Sequence, residues 1–296
     1  MDDSQPPILS HFDHATVIVR DVAQASEHYQ RLLGLEPSWR GRHPELGTEA
    51  TLFGFKNGLL ELVGPGAEDD ERSAGLRALL DQAGEGLYAL AFGTEDAARC
   101  RSELRARGLR AAPPEEGEAQ GQDGSIRRYR SVELSPRDTR GLSLLAVERP
   151  NFKALLPTQE PAVDAVEAID HVVIRTAEPD AAVALYGEAL GIRLALDRQL
   201  GGTRMLFFRI GGVTVEVVPA RPGPEARTGA HDADRDRFYG LAYRVRDIDG
   251  AHARLAAAGL SVSEIRDGNK RGTRVFTVRD GTCSVPTLVI RDPARD

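Results

Sequence analysis

The two halves of this chain repeat one another, and an internal repeat limits the possible folds more than any local motif does. Phe12-Asp13-His14, Tyr29 and Leu33-Gly34-Leu35 recur at one constant offset as Ile169-Asp170-His171, Tyr186 and Leu190-Gly191-Ile192. Gly47-Thr48 and Glu61 recur as Gly202-Thr203 and Glu216, after a short loop difference. A further block, Leu90-Ala91-Phe92 with Gly108-Leu109, returns as Leu241-Ala242-Tyr243 with Gly259-Leu260. The chain is thus a pair of halves, each holding two related units.

Hydrophobic periodicity gives the content of a unit. His14 to Val19 reads as a strand, and Asp21 as the N-cap of a helix whose apolar positions Val22, Ala25, Tyr29, Leu32 and Leu33 keep helical spacing up to Gly34. Leu35 to Trp39, Ala50 to Phe55 and Leu59 to Val63 read as three more strands, the last two joined by a Lys56-Asn57-Gly58 turn. The unit is βαβββ. A second unit runs from Leu87 through a helix at about 96–107 to strands near 126–134 and 142–147. Its polar stretch Glu115 to Gly124 reads as a loop. After a proline-containing linker, residues 169–218 and 239–290 give the third and fourth units. The expected boundaries are 8–150 for the first domain, 151–164 for the linker and 165–296 for the second domain. Glu68-Asp69-Asp70-Glu71 and the stretch 222–236 read as solvated connections.

Two of these strands carry a carboxylate inside an apolar run, Leu60-Glu61-Leu62 and Val215-Glu216-Val217. An ionised carboxylate buried without a partner costs several kcal/mol or becomes neutral. His14 and His171, on neighbouring strands, are the obvious partners. Alternation puts His14, Thr16 and Ile18 on one face, with Ala15, Val17 and Val19 on the helix-covered side. The same parity turns Glu61 and Glu216 inward beside a histidine. A histidine and a carboxylate on adjacent strands are half of a divalent metal site. Arg175 shares the His171 face and is a candidate partner for Glu216.

Composition narrows the partners. The net charge of −7 and a pI near 5.6 disfavour nucleic acid and anionic membranes. Cys100 and Cys283 fall outside metal or redox spacings and are expected to be thiols. With no long apolar run or signal-like segment, the cytoplasm is the expected compartment. Gly64-Pro65-Gly66 and Gly201-Gly202 have no P-loop or dinucleotide pattern around them and read as turns.

The Asp-His strand starts, the Leu-Gly-Leu/Ile helix exits, the Leu-Glu-Leu strand and His43-Pro44-Glu45-Leu46-Gly47-Thr48 together resemble the vicinal oxygen chelate superfamily. That superfamily spans glyoxalase I, bleomycin-resistance proteins, methylmalonyl-CoA epimerase and type I extradiol dioxygenases. The first half resembles its glyoxalase-like group. The resemblance implies an α+β fold in which four βαβββ modules pair into two cups, with helices outside. It implies metal ligands at the first and last strands of each module: His14, Ala89, His171 and Gly240, then Glu61, Leu145, Glu216 and Thr287. Odd modules keep both ligand types and even modules keep neither, so each cup offers one His and one Glu.

Two functions from different classes follow from that resemblance. As an enzyme, the protein would be a metal-dependent lyase, isomerase or dioxygenase using Mn, Fe, Co, Ni or Zn on a small chelating substrate. His14, Glu61, His171 and Glu216 would be the ligands, and Glu61 and Glu216 would also move protons. As a binder of the bleomycin-resistance kind, the cup would sequester a small molecule without metal. Trp39, His43, Phe53 and Phe55 are expected to line the N-terminal pocket beside substrate. His43 could contact substrate or complete a three-ligand site, but Arg198 stands at its counterpart, so ordering of its loop is expected ahead of ligation. A homodimer would let a partner chain supply a missing donor.

Overall fold

The computed structural model describes residues 7–66, 70–150, 152–157, 159–200, 202–220 and 235–293. In the first module β1 (His11–Ile18) leads into helix α1 (Val22–Leu33) and then β2 (Trp39–His43), β3 (Thr48–Phe55) and β4 (Gly58–Pro65). Asp21 caps α1 by accepting from the backbone N–H of Gln24, and Gly34 ends it in a left-handed conformation at φ 68°. Helix α2 (Ala74–Ala83) connects to the second module, β5 (Gly86–Thr94), α3 (Ala97–Ala106), β6 (Glu115–Gly121), β7 (Ile126–Glu133) and β8 (Ser143–Glu148).

The second half repeats the plan. β9 (Val166–Thr176), α4 (Pro179–Ala182) with a π-helical continuation over Val183–Ala189, β10 (Arg193–Leu200), β11 (Thr203–Ile210) and β12 (Val213–Pro219) form the third module. The fourth comprises β13 (Arg237–Val245), α5 (Ile248–Ala257), β14 (Arg266–Asp267), β15 (Arg274–Val278) and β16 (Thr287–Arg291). The fold is therefore the expected α+β arrangement of four βαβββ modules. The stretch 222–236 lies almost wholly outside the described residues.

In each half the modules meet through their first strands. β1 runs parallel to β4 and antiparallel to β5, and β9 runs parallel to β12 and antiparallel to β13. The halves differ at the far edges. The N-terminal sheet closes into a barrel ordered β1-β4-β3-β2-β6-β7-β8-β5, whereas the C-terminal sheet stays open from β10 to β14. Closure rests on β2 pairing with β6 at Gly41–Gly121 and Arg42–Gln120. The polar stretch Glu115 to Gly124, expected as a loop, thus contains a strand. Its residues Gly117, Ala119 and Gly121 are small because large side chains from opposite lie on them. A Cβ on Gly117 would sit 2.3 Å from the Tyr129 ring, and one on Gly41 would sit 2.3 Å from Trp39 and 2.2 Å from the Gln120 carbonyl.

One continuous apolar core joins the halves beneath the helix-covered faces. Tyr29 donates its hydroxyl to the Thr282 carbonyl at 3.1 Å, and the Phe55 and Tyr243 rings lie 5.9 Å apart. Asn57 clasps both the N–H and the C=O of Ile169. A separate small cluster inside the barrel consists of Trp39, Ala50, Leu52 and Ala119, with Val63 against it. Among the described residues no helix is long and apolar enough to cross a membrane.

Candidate functional site

The site starts from an irregularity in β1. Phe12 pairs with Phe92 and His14 with Ala91, so Asp13 is an extra residue in a β-bulge. β9 repeats this: Ile169 pairs with Tyr243 and His171 with Ala242, leaving Asp170 as the extra residue. The Asp-His pair is therefore a bulge motif in both halves. The bulge brings the aspartate beside the imidazole of the next residue. Asp13 Oδ1 lies 2.6 Å from His14 Nδ1, and Asp170 Oδ2 lies 2.9 Å from His171 Nδ1.

Asp13 is wholly buried and also takes two contacts from the Arg149 guanidinium, at 3.2 and 3.4 Å. Burial alone would raise its pKa, but Arg149 and His14 outweigh burial and hold the carboxyl well below the usual range. An ionised Asp13 fixes the proton of a neutral His14 on Nδ1, which leaves the lone pair on Nε2. That Nε2 faces Glu61 Oε2 at 3.4 Å. His43 Nε2 faces the other oxygen, Oε1, also at 3.4 Å. His43 Nδ1 in turn meets the Tyr129 hydroxyl at 3.3 Å. Burial acts to raise the Glu61 pKa, but the contact with His43, the positive charge that the two imidazoles carry when protonated and the charge of Arg149 bring it down to about 2.

A lone pair opposed to a carboxylate needs a positive charge between them, either a proton or a metal ion. The charge-assisted N–H···O bond that a proton would make is normally about 2.7–2.9 Å. Two donors each about 2.1 Å from one divalent ion, at an ordinary ligand angle, stand about 3.3 Å apart. The 3.4 Å separations, each to a different oxygen of Glu61, leave room for the second geometry, and two imidazoles with one carboxylate suit a borderline cation. The donor set fits a divalent ion in pairwise terms. Among the described residues, however, no group of three or more His, Cys, Asp or Glu side chains is drawn together as a ready cage.

The remaining expected residues separate clearly. Trp39 lies in the barrel interior, with the Arg127 guanidinium 4.8 Å above its ring. Phe53 and Phe55 do not line the cup. Antiparallel pairing sets Leu52 opposite Glu61 and Phe53 opposite Leu60, so both phenylalanines belong to the helix-covered core and Leu52 takes the interior place. In the C-terminal half His171 Nε2 lies 3.5 Å from Glu216 Oε2, and Asp170 is backed by Arg244 at 3.5 Å. Burial raises the Glu216 pKa, the reverse of Glu61. Arg175 stacks on Tyr239 at 3.6 Å, and the charges acting on Glu216 are those of His171 and Asp170. Asp13, Arg127, Tyr129 and Arg149 enter the site without having been anticipated. Strand parity would have turned Arg127 and Tyr129 inward once β6 was known to close the barrel with β7 beside it.

Family models match both halves: a glyoxalase-like domain over residues 12–160, and the glyoxalase/bleomycin resistance protein/dioxygenase superfamily over 168–294. The chain belongs to the vicinal oxygen chelate superfamily. No curated protein sequence matches it. Among solved structures, this member resembles a variant of 4-hydroxymandelate synthase from Streptomyces coelicolor at 17% identity and TM-score 0.68, over 99% of this chain and 95% of that one. It also resembles a Mn(II)-bound glyoxalase from Novosphingobium aromaticivorans at 14% identity and TM-score 0.62, over 97% and 83%. An extradiol ring-cleaving dioxygenase from B. fuscum matches at 15% identity and TM-score 0.60, over 99% and 74%. At these identities the likeness shows the shared fold.

Proposed function

We propose that the N-terminal barrel is the active site of a divalent-metal-dependent enzyme acting on a small substrate that chelates through two oxygens. The observation that carries this reading is the approach of two imidazole Nε2 atoms, each at 3.4 Å, to the two oxygens of Glu61. His14, His43 and Glu61 would hold the ion. A bound ion of the Mn, Fe, Co, Ni or Zn kind would supply Lewis acidity toward the substrate oxygens.

The chain's own residues do the rest. Asp13 and Tyr129 orient the two imidazoles through Nδ1. Glu61, ionised at neutral pH, can accept a proton at whichever carboxylate oxygen is free of the ion. The Tyr129 hydroxyl, pushed by burial and by the Glu61 charge to about 12, keeps its proton and can donate it to a developing oxyanion. Leu52, Ala50, Val63 and Ala119 form an apolar wall that limits water. Lyase, isomerase and ring-cleaving chemistry all use such a set.

The C-terminal His171–Glu216 pair is a second, poorer candidate, since it sits on an open sheet and, among the described residues, Glu216 meets one imidazole. The alternative is a metal-free binding cup, favoured by the lack of a closed three-donor cage among the described residues. Metal analysis of protein purified without chelators or a metal-affinity tag separates the two. The enzyme reading expects a first-row metal that survives dialysis or is retained once a chelating substrate analogue is added. Metal-free protein that still takes up no Mn(II), with or without such a chelator, leaves the binder.

A further inference from the structure

Arg127 occupies an unusual position inside the barrel. It lies on β7 between Ile126 and Arg128, both of which point outward, and it pairs across the sheet with Ala119 of the interior cluster. The face of its guanidinium is covered by Trp39. Stacking satisfies the cation's face and leaves its edge donors unused. Nη1 of Arg127 and Nε1 of Trp39 are both buried without a hydrogen-bond partner among the described residues. Such donors cost free energy unless something accepts from them.

The neighbouring charges do not fill that need. Arg149 is matched by Asp13. Asp123 and Glu61 act on Arg127 only through charge at a distance, and Asp123 already accepts from the Ser125 N–H and hydroxyl at 3.0 and 2.6 Å. Burial, helped by Arg149, lowers the Arg127 pKa to about 10, which still leaves it charged at neutral pH. With Glu61 and Arg127 cancelling in charge, a divalent ion would leave two positive charges in a largely buried space.

We infer that the substrate carries a carboxylate separate from its chelating oxygens, and that Arg127 Nη1 and Trp39 Nε1 receive it as a specificity pair. The inference deepens the metal-dependent reading and rests on it for the chelating end alone. A planar guanidinium fork beside an indole N–H matches two carboxylate oxygens. A dianionic substrate would also balance the charge of the loaded site.

Calorimetric titration of the Mn(II)-loaded protein tests this with length-matched probes. 2-Oxoglutarate and 2-oxoadipate carry a chelating head and a distal carboxylate, whereas 2-oxopentanoate and 2-oxohexanoate lack the distal group. Wild type is expected to prefer at least one of the dicarboxylates over its matched monocarboxylate by about tenfold or more. Arg127→Gln, compared with wild type at saturating Mn(II), should erase that preference by weakening dicarboxylate binding far more than monocarboxylate binding. Trp39→Phe, which keeps an aromatic ring and deletes the N–H, should reduce the preference in part. Absence of the preference in wild type, or its survival in Arg127→Gln, overturns the assignment and leaves the metal reading intact. If wild type binds no Mn(II), glutarate against neutral glutaramide decides with metal-free protein. Glutarate binding that Arg127→Gln abolishes upholds the carboxylate site without the metal. Glutarate binding no tighter than glutaramide, or unaffected by Arg127→Gln, overturns the site.

Discussion

Arg149, just past the end of β8, reaches Asp13 in the bulge of β1, with Nη2 3.2 Å from Oδ1. The second module, which contributes no histidine or carboxylate to the ligand set, thereby orients the ligand strand of the first. Breaking a buried ion pair from one side costs about 3–5 kcal/mol because the other charge is stranded. Arg149→Met should lower unfolding free energy in urea by about that amount, and adding Asp13→Asn should recover much of it. A double variant no more stable than Arg149→Met would show that the pair is not coupled as described.

Removing Asp13 alone should act on His14. Asp13→Asn leaves a side chain of the same size but a weaker acceptor for Nδ1–H, and such support for a ligand is worth about 10–100-fold in metal affinity. Titration with Mn(II) should show that loss without a comparable loss for Asp170→Asn, because among the described residues the C-terminal pair has one imidazole. Equal losses in both would place the binding site elsewhere.

Acid stability should follow Glu61. Its folded pKa of about 2 lies below the ordinary glutamate value of about 4.3, so its contribution is present above that ordinary value and is lost as pH falls toward 2. Urea midpoints measured from pH 6 to pH 2 should fall less steeply for Glu61→Gln than for wild type. An unchanged slope would contradict the electrostatic description of the site.

The C-terminal pair should show different titration behaviour. Burial opposes protonation of His171, but Asp170 and Glu216 outweigh it and raise its pKa. Stability from that imidazolium is present below about 6.5 and is lost as pH rises through the higher folded value. Proton NMR should find His171 titrating above the ordinary histidine value, and Glu216→Gln should move it down. A His171 value unaffected by that substitution would remove Glu216 as its partner.

Barrel closure depends on the bare backbone at the β2–β6 seam. Gly41→Ala would place a methyl 2.2 Å from the Gln120 carbonyl and against Trp39, a backbone clash that a rotamer change cannot relieve. Overpacking of this kind costs about 1–3 kcal/mol. Hydrogen exchange should quicken at residues 39–43 and 115–121 before the rest of the sheet. Uniform exchange across the barrel would argue against a local seam.

The sequence makes much of this legible where one signal dominates. Asp21 and Gly34 bracket α1 by cap chemistry, and the repeat itself assigns the modules. Alternation correctly turns Glu61 toward His14, yet Phe53 and Phe55 are misplaced if aromatic character is read before parity. The strand β6 is hidden because a closed barrel needs outward polar residues and inward glycine and alanine there, a pattern that also describes a loop. Asp13 stands in plain view beside His14, but its role depends on a bulge that no residue type announces. Arg127 and Tyr129 become site residues through the closure of β2 on β6, and Arg149 through the pairing of β8 with β5 and of β5 with β1.

The central claim is that His14, His43 and Glu61 act together on one divalent ion. Its most direct test is Mn(II) affinity, read by electron paramagnetic resonance of free Mn(II), for wild type and for His14→Ala, His43→Ala, Glu61→Ala, His171→Ala and Glu216→Ala. The account predicts that each of the first three substitutions weakens binding severalfold or more, while the two C-terminal substitutions leave the tighter site unchanged. Equal, negligible binding by all six proteins, with and without a chelating dicarboxylate, would contradict it.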